Sequence, residues 1–476
     1  MTITVQSPKL GYEVPTKAVD PRTKPTMYRM PGVPPKAVAT HNVYIEFDNG
    51  DRIIDGMGGA AVNIIGFGQE SVIKAMKEEM DRCGFIYAGQ YSNAAAEDLA
   101  EFLISKSEGY FSGVNFVGGG SEAIESALKL AKQYFWEKGD TVKRRFIGRQ
   151  MSYHGNTIAT LSIGYHPIKR RPFASFVNED VFSWVSPAHY FHYGREGETE
   201  EEYATRLADE LEAEILRLGP ETVAGFVAEP MVASSQGATC APKTYWPKIR
   251  AVCDKYDVLL IMDEVMSGMW RTGRMYTFPR ICEGVQPDIL GCAKGLGAGY
   301  VPIGAIMAAP KIMDAIHNGS GAWNHGFTYT SFGVSAAGAL AVQKYMYDNN
   351  VEERIYALEK QMGTTLKARL LGPDSGLDGF VIDVRGVGLM WAIEVKAPGQ
   401  KDMKKRIAHR MMQRALENGL MVLGMAGLRA DNDGDCIMLC PPAVLTEAQM
   451  DTICDLAVKT VKDIRAELQA EGVFDA

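Results

Sequence analysis

The chain has 476 residues, of which 46% are hydrophobic and 23% are charged, and its formal net charge is −8. A chain of this length buries a large core and divides into at least two domains, and its composition is that of an ordinary globular protein. The acidic balance argues against a nucleic-acid-binding protein, and no apolar run reaches the roughly 18 residues of a membrane span.

The N-terminal segment and the cysteines indicate the cellular setting. Residues 1–35 are rich in proline, which favours an extended arm, and they lack the apolar region of a signal peptide. The eight cysteines form no CxxC pair, and Cys436 and Cys440 have no histidine cluster beside them, so no metal site is predicted. Scattered cysteines in a long chain favour reduced thiols and a cytoplasmic location.

Two local patterns follow the arm. Residues 44–55 predict a β-hairpin whose two-residue turn is Asn49-Gly50. Residues 71–82 predict a helix with one apolar face, formed by Val72, Ile73, Met76 and Met80.

Apolar runs then alternate with helical patterns such as residues 201–218, which predicts a mostly parallel sheet covered on both faces. The runs lie at residues 114–117, 146–147, 223–228, 258–262, 289–293 and 303–308. Beyond residue 333 the pattern predicts a smaller α+β domain. Its elements are helices at 335–346, 351–371 and 402–418, strands at 381–385 and 389–395, and a final strand, turn and helix.

Lys294 ends one of these apolar runs, and Gly295 follows at once. Burial at the mouth of a strand disfavours the ammonium form, so such an amine becomes a nucleophile. By itself the pattern is more typical of a surface lysine in a glycine-rich turn. Asp263, however, ends the run 258–262 and precedes Lys294 by 31 residues, about one helical crossover. A lysine and a carboxylate at one sheet edge suit pyridoxal phosphate, which needs a Schiff-base amine and a partner for its pyridinium nitrogen.

A glycine-rich stretch, Gly118-Gly119-Gly120-Ser121, separates the run 114–117 from a helical pattern. The predicted helix has an apolar stripe, formed by Ile124, Ala127, Leu128, Ala131 and Phe135. Free N–H groups at a helix start favour a phosphate there. The stretch matches neither a Walker loop nor GxGxxG. The alternative of a nucleotide-dependent oxidoreductase would also leave Lys294 and Asp263 unexplained.

Three further motifs occur in order along the chain: Tyr153-His154-Gly155, Glu229-Pro230 and His325-Gly326-Phe327-Thr328. With the motifs above, they resemble the class III (omega) aminotransferases, pyridoxal-phosphate enzymes of fold type I, from about residue 36 to the C-terminus. The resemblance implies an α/β large domain at residues 66–332 with a mostly parallel seven-stranded sheet covered by helices. It also implies a smaller α+β domain formed by residues 1–65 and 333–476.

The resemblance implies a role for each motif. Lys294 forms the Schiff base and acts as general acid and base, and Asp263 holds the ring nitrogen. Tyr153 stacks on the ring and Val265 presses on its other face. His154 and Glu229 lie near the cofactor.

The resemblance further implies that Gly120 and Ser121 bind the phosphate. The family usually has Ser-Gly-Ser at this point, and Gly119 stands where its first serine would be. Thr328 is expected to bind the phosphate of a neighbouring subunit, which implies a homodimer, possibly a tetramer, with its active sites at the subunit interface. The alternative for Thr328 is a cap on the helix that follows.

The expected reaction moves an amino group from a primary amine or omega-amino acid to a keto acid such as pyruvate. Relatives that racemise, mutate or decarboxylate use the same residues, so those reactions stay open.

The residues expected around the substrate are the aromatic Phe85, Tyr87 and Tyr91 and the small Ala60, Ala61, Ala233 and Ser234. Members of the family that handle carboxylates have a mobile arginine near a Pro-Pro pair, but none directly precedes Pro441-Pro442. Arg429 is the nearest candidate for binding the keto-acid carboxylate; the alternative is a solvated loop arginine.

Overall fold

The computed structural model describes residues 20–29, 32–397 and 406–473. Most of the predicted arm and the beginning of the helix predicted at 402–418 lie outside the described residues. Within the arm, Pro21–Thr23 forms a single 3-10 turn.

The strands, in chain order, are β1 Ala37–His41, β2 Tyr44–Phe47, β3 Arg52–Asp55, β4 Gly113–Val117, β5 Arg145–Arg149, β6 Phe182–Val185, β7 Val223–Ala228, β8 Met231–Val232, β9 Thr239–Cys240, β10 Leu259–Asp263, β11 Ile289–Cys292, β12 Gly304–Ala308, β13 Val381–Val387, β14 Met390–Val395, β15 Leu420–Met421, β16 Leu423–Ala426 and β17 Asp435–Leu439. The helices are α1 Gly58–Ala61, α2 Glu70–Arg82, α3 Ala94–Ser105, α4 Gly120–Glu137, α5 Ile158–Ile163, α6 Pro167–Arg170, α7 Tyr190–Tyr193, α8 Glu200–Leu218, α9 Tyr245–Lys255, α10 Phe278–Ile281, α11 Pro310–Asn318, α12 Gly333–Asp348, α13 Val351–Leu371, α14 Ile407–Glu417 and α15 Glu447–Ala470.

A seven-stranded sheet with the order β4-β12-β11-β10-β7-β5-β6 forms the centre of the larger part of the chain. Its pairs are parallel except those of β12, which runs antiparallel to β11 and β4. The predicted α/β fold with a mostly parallel sheet is therefore confirmed. All six predicted runs belong to this sheet. The strand that the sequence did not predict is the edge strand β6, whose alternating Phe-Ser-Trp-Val lacks the continuous apolar run of a central strand.

Helix α4 lies against this sheet through the predicted stripe, since Ile124, Ala127, Ala131 and Phe135 are fully buried. Burying a large apolar side chain of this kind stabilises the fold by about 1.5–3 kcal/mol. Gly291 of β11 allows the close approach, because a Cβ atom there would stand 2.4 Å from Cδ1 of Ile124. The sheet thus holds the N-terminus of α4 at a defined place.

The smaller part of the fold contains the antiparallel sheet β13-β14-β17-β16, against which α13 and α14 pack. Strand β15, from the C-terminal region, pairs in parallel with β3 of the N-terminal hairpin. Segments from both chain ends therefore share one sheet, as expected for this fold.

The hairpin between β2 and β3 differs from its prediction. The Phe47 amide donates to the Asp51 carbonyl, and the Gly50 amide donates to the Phe47 carbonyl. The loop therefore has three residues rather than two, because Gly50 takes the left-handed conformation (φ 88°) that a bulged turn needs.

The predicted apolar face of α2 is only partly buried. Val72 is fully buried and Met76 packs beside Gly338 of α12, but Ile73 and Met80 are 51% and 55% exposed. Helix α12 covers only part of that face, so the outer apolar residues of α2 remain on the surface.

All eight cysteines are free thiols. Across the described ranges, no helix is long and apolar enough to cross a membrane, and no group of three or more His, Cys, Asp or Glu side chains is arranged to hold a metal ion.

Candidate active site

The ends of two neighbouring parallel strands bring Asp263 and Lys294 to one edge of the sheet. Asp263 is the last residue of β10, where it lies opposite Gly291 of β11. After β11 the chain turns sharply, with Lys294 at φ 37° at the start of a 3-10 turn. The carboxyl edge of such a sheet is where α/β proteins place their ligands.

The surroundings of Lys294 suit a nucleophilic amine. Burial lowers the pKa of Lys294, and the charges of Asp263 and Glu229 oppose that shift only in part. Its side chain keeps some solvent exposure, and in the described part of the chain no acceptor lies within hydrogen-bond distance of Nζ. Within the described residues the amine therefore has no hydrogen-bond partner, and it loses its proton more easily than a surface lysine.

Asp263 is held by His154 and by its own loop. Its Oδ2 lies 2.8 Å from His154 Nδ1, and its Oδ1 accepts the Val265 N–H at 2.9 Å. Both side chains are buried, and His154 Nε2 has no partner within the described chain. Each carboxylate oxygen keeps a further lone pair, so Asp263 is fixed in place and still able to accept another hydrogen bond.

Glu229 links two segments that face this edge. Its Oε1 accepts the Tyr153 N–H at 3.1 Å, and its Oε2 accepts the Ala233 N–H at 3.3 Å. Burial raises the pKa of Glu229, Asp263 raises it further, and His154 opposes the shift. Glu229 therefore positions the Tyr153 loop and the 233–234 loop next to Lys294.

Two more buried ionisable side chains secure the surroundings, and sequence reasoning gave neither a role. Glu264 accepts the N–H groups of Thr277 and Phe278, both at 2.7 Å, and burial raises its pKa to about 8. Arg271 donates to four backbone carbonyls, those of Asn63, Leu389, Cys440 and Pro441. Arg271 thereby fastens segments from both chain ends to the β10 edge.

The glycine-rich stretch enters α4 beside Val265. A Cβ atom on Gly120 would stand 2.6 Å from Val265 Cγ1, and one on Gly304 would stand 2.5 Å from the Gly119 oxygen. Helix α4 has no side-chain N-cap, and the Gly118 N–H donates to Glu122 at 2.6 Å. The N–H groups of the first turn are left without helical acceptors, which is the arrangement that binds phosphate.

These features fit pyridoxal phosphate. They comprise a half-buried lysine with no hydrogen-bond partner among the described residues, a buried carboxylate at the neighbouring strand end and a glycine-lined helix start. All three face one region, and the aromatic ring of Tyr153 adjoins it. The predicted site residues Gly120, Ser121, Tyr153, His154, Glu229, Asp263, Val265 and Lys294 come together in this way.

Thr328 and the predicted aromatic residues lie on the surface instead. Thr328 is exposed and borders a cavity of about 530 Å³ together with Gly118 and Glu122. It does not cap α12, whose N-cap is Phe332. Phe85 is 53% exposed and packs edge-on against Tyr329 at 5.7 Å. Tyr87 and Tyr91 are exposed as well.

The small residues predicted around the substrate differ in exposure. Ala60 is exposed at a kink in α1, whereas Ala61 and Ala233 are buried. Ser234 is half-buried, and its carbonyl oxygen lies 3.4 Å from Lys169 Nζ.

Arg429 is not brought to this cluster. Its guanidinium pairs with Asp433 and, at 3.4 Å, with Asp431 of the same loop. The groups that shift the pKa of Lys294 do not include it. Its proposed role in binding carboxylates stays a prediction, and these two aspartates argue against it.

Lys169 of α6 was missed by sequence reasoning. Its Nζ lies 4.5 Å from the centroid of the Tyr153 ring. The surrounding Lys-Arg-Arg run resembles a solvated surface segment, and no periodicity in it indicates a buried lysine. Only the packing of α6 against the Tyr153 loop reveals its position.

Comparison with known proteins adds an independent finding. The family model described as "Aminotransferase class-III" matches residues 31–461. An uncharacterised aminotransferase of Schizosaccharomyces pombe is 36% identical over 440 residues, covering 91% of this chain and 94% of that protein. A probable gamma-aminobutyrate transaminase of Oryza sativa is 33% identical over 440 residues, covering 90% and 87%.

Solved structures are also similar. An omega transaminase from Pseudomonas jessenii in complex with PMP superposes with a TM-score of 0.85 at 30% identity, covering 96% of this chain and 99% of that one. An (S)-enantioselective omega transaminase from Thermomicrobium roseum gives a TM-score of 0.82 at 29% identity, covering 90% and 93%.

Proposed function

The chain belongs to the class III aminotransferases, which use pyridoxal phosphate, and from this premise we propose that it moves an amino group from a primary amine or omega-amino acid to a keto acid such as pyruvate. When bound, the cofactor supplies a ring that withdraws electrons from the carbon bearing the amino group. The observation that carries the proposal is the half-buried Lys294 beside Asp263 at the ends of β11 and β10, with no hydrogen-bond acceptor for its amine among the described residues.

Each nearby residue has a task in this proposal. Lys294 would hold the cofactor's aldehyde carbon, Asp263 its ring nitrogen, and the start of α4 its phosphate. Tyr153 and Val265 would pack against its ring. Asp263, as an anion fixed by His154, keeps a proton on the ring nitrogen through a charged hydrogen bond, which is roughly twice as strong as a neutral one.

Lys294 also moves the proton. Its Nζ takes the proton from the carbon that bears the substrate nitrogen and later returns one. A lowered pKa serves this role, because more of the amine is neutral and able to accept a proton near neutral pH.

The test uses the purified protein loaded with pyridoxal phosphate. With 1-phenylethylamine and pyruvate, we expect equimolar acetophenone and alanine. We also expect a cofactor absorbance band that is lost on borohydride reduction, which leaves the cofactor covalently attached to Lys294. Racemisation or loss of carbon dioxide without amino transfer would contradict the proposal.

We also propose a homodimer in which Thr328 serves the partner's phosphate site. The support is a surface on which Thr328, Phe85, Tyr329 and the exposed side chains of α2 leave apolar area open to solvent. Exposed apolar patches of this kind mark protein–protein contacts.

Mixed dimers test this assembly. If Thr328 acts across the interface, mixing inactive Lys294→Ala and Thr328→Val chains restores activity, because the site with an intact Lys294 then receives an intact Thr328. If Thr328 serves its own chain, mixing restores nothing. Sedimentation decides between dimer and tetramer, and the cytoplasmic location stays a prediction that cell fractionation would test.

A further inference from the structure

The side chain of Lys169 reaches the candidate site from the short helix α6. Its Nζ lies 4.5 Å from the centroid of the Tyr153 ring and 3.4 Å from the Ser234 carbonyl oxygen. Tyr153 is followed by His154, which contacts Asp263. Lys169 therefore places a second lysine at the Tyr153 side of the same cluster.

The contacts of this ammonium group within the described residues are neutral: the Ser234 carbonyl oxygen and the Tyr153 ring. Within the described ranges, no carboxylate lies within ion-pair distance of Nζ, and the oxygens of the nearest acidic group, Glu229, accept backbone N–H groups instead. Burial lowers the pKa of Lys169 to about 8, Glu229 opposes this shift, and the positive charges of Arg29 and Lys294 reinforce it.

Contact with the Tyr153 ring does not by itself explain such a residue. A cation over an aromatic face gains modest energy, whereas removing an unpaired ammonium from water costs more than that. Lys169 is half-buried rather than fully exposed, and charges withdrawn from water are normally paired. A cation without a carboxylate partner among the described residues, placed between the Tyr153 ring and the Ser234 carbonyl, therefore favours a site at which an anion binds during the reaction.

A keto-acid substrate supplies that anion. Its carboxylate is bonded directly to the carbon that receives the amino group, so it must lie within a few bonds of the reacting atoms. The positive charge of Arg429, the other candidate, is already compensated by ion pairs with Asp431 and Asp433.

We propose that Lys169, over the Tyr153 ring and beside the Ser234 carbonyl, is the residue that binds the carboxylate of the keto-acid substrate. This inference rests on the proposed transamination. Arg29, whose charge reaches both Lys169 and Tyr153, strengthens the positive potential at this subsite. An amine donor that lacks a carboxylate does not need this subsite. With such a donor, Lys169 keeps its contacts with the Ser234 carbonyl oxygen and the Tyr153 ring.

The first test separates the two half-reactions by stopped-flow absorbance. In Lys169→Met, which keeps the chain length without the charge, the apparent dissociation constant for pyruvate rises about tenfold or more, the loss of one charged hydrogen bond. The half-reaction with 1-phenylethylamine stays within about twofold of wild type. Lys169→Arg keeps most of the pyruvate affinity, and Arg429→Ala changes neither half-reaction.

Equal losses in both half-reactions of Lys169→Met would overturn the inference, because Lys169 would then merely position Tyr153. A wild-type enzyme that fails with every amine would instead overturn the proposed function, so the two failures are distinguishable.

The second test measures binding without turnover. Calorimetric titration of the cofactor-loaded enzyme with propanoate shows binding in the wild type and in Lys169→Arg, and about tenfold weaker binding in Lys169→Met. Unchanged propanoate affinity in Lys169→Met would overturn the inference. Circular dichroism of all variants verifies that they are folded.

Discussion

Two lysines of the site, Lys294 and Lys169, differ in how the fold places them and in what surrounds them. Lys294 follows a central strand, and its charged neighbours are the carboxylates Asp263 and Glu229. Lys169 lies on the four-residue helix α6, and of the charged groups that act on it, two are cations and one is an anion. Burial lowers the pKa of both, but the difference in nearby charge separates their tasks. The carboxylates around Lys294 suit an amine that exchanges a proton. The mostly positive charges around Lys169 suit a cation that binds an anionic ligand.

The largest expected effect comes from replacing Lys294, the lysine that follows the central strand β11. Lys294→Ala removes the amine that holds the cofactor and moves the proton, so turnover falls by about 10⁴-fold or more while the fold survives. Steady-state rates and the thermal unfolding midpoint check this. Lys459→Ala, on the exposed surface of α15 and away from the proposed dimer surface, is the matched control and keeps wild-type turnover. Near-normal turnover in Lys294→Ala would remove Lys294 from the reaction.

Asp263→Asn tests the partner of Lys294 with nearly the same shape. The amide is neutral, so it no longer stabilises a proton on the ring nitrogen, and turnover falls by about 10²-fold. The measurement is the rate of the amine half-reaction, with cofactor occupancy verified by absorbance. An unchanged rate at full occupancy would show that the charge of Asp263 is dispensable.

The pH dependence of keto-acid binding tests the other lysine. The ammonium form of Lys169 binds the carboxylate, and its pKa is about 8, so affinity is full below that pH and is lost as pH rises through it. Between pH 7 and pH 9 the dissociation constant for pyruvate should rise about tenfold in the wild type. The ionisable groups that act on Lys169, or that it acts on, are Glu229, Arg29, Lys294, Tyr153 and His166.

Lys169→Arg is the control for this titration, because arginine stays protonated throughout that range. In this variant the increase in the dissociation constant above pH 8 should disappear. The same increase in Lys169→Arg would assign the titration to another group.

The smallest expected effects concern the glycine-rich stretch before α4. A matched pair of glycine substitutions there tests whether this stretch binds the cofactor's phosphate. A Cβ atom on Gly304 would meet the Gly119 backbone at 2.5 Å, so Gly304→Ala displaces the loop at a cost of about 1 kcal/mol and weakens cofactor binding about fivefold. Gly119 has open space and an extended conformation (φ 176°), so Gly119→Ser is tolerated.

The added hydroxyl in Gly119→Ser should tighten cofactor binding by about threefold, the value of one modest hydrogen bond. Titration of the apoenzyme with pyridoxal phosphate, followed by absorbance, measures both variants. Weaker binding in Gly119→Ser would mean that the phosphate does not lie at this helix start.

The sequence by itself predicted the sheet and the residues at its strand ends. Continuous apolar runs such as 258–262 are typical of central parallel strands, and the residue after such a run lies at the carboxyl edge whatever the details of the loops. Because of that regularity, the 31-residue interval between Asp263 and Lys294 predicted that both lie at the carboxyl edge of the same sheet. The edge strand β6 was not predicted because Ser183 interrupts its apolar residues, so it lacks the continuous apolar run of a central strand. The hairpin loop was misjudged by one residue because Gly50 allows a bulge.

Only the tertiary structure decided which basic side chain lies where the substrate is proposed to bind. Arg429 and Lys169 are both basic residues in segments without a regular apolar period, and no such period shows which of them reaches the site. Packing brings α6 onto the Tyr153 loop and leaves Arg429 between Asp431 and Asp433. The physical reason is that charges on loops and short helices are placed by long-range contacts, which have no sequence period, whereas charges at strand ends are placed by the hydrogen-bonded register of the sheet.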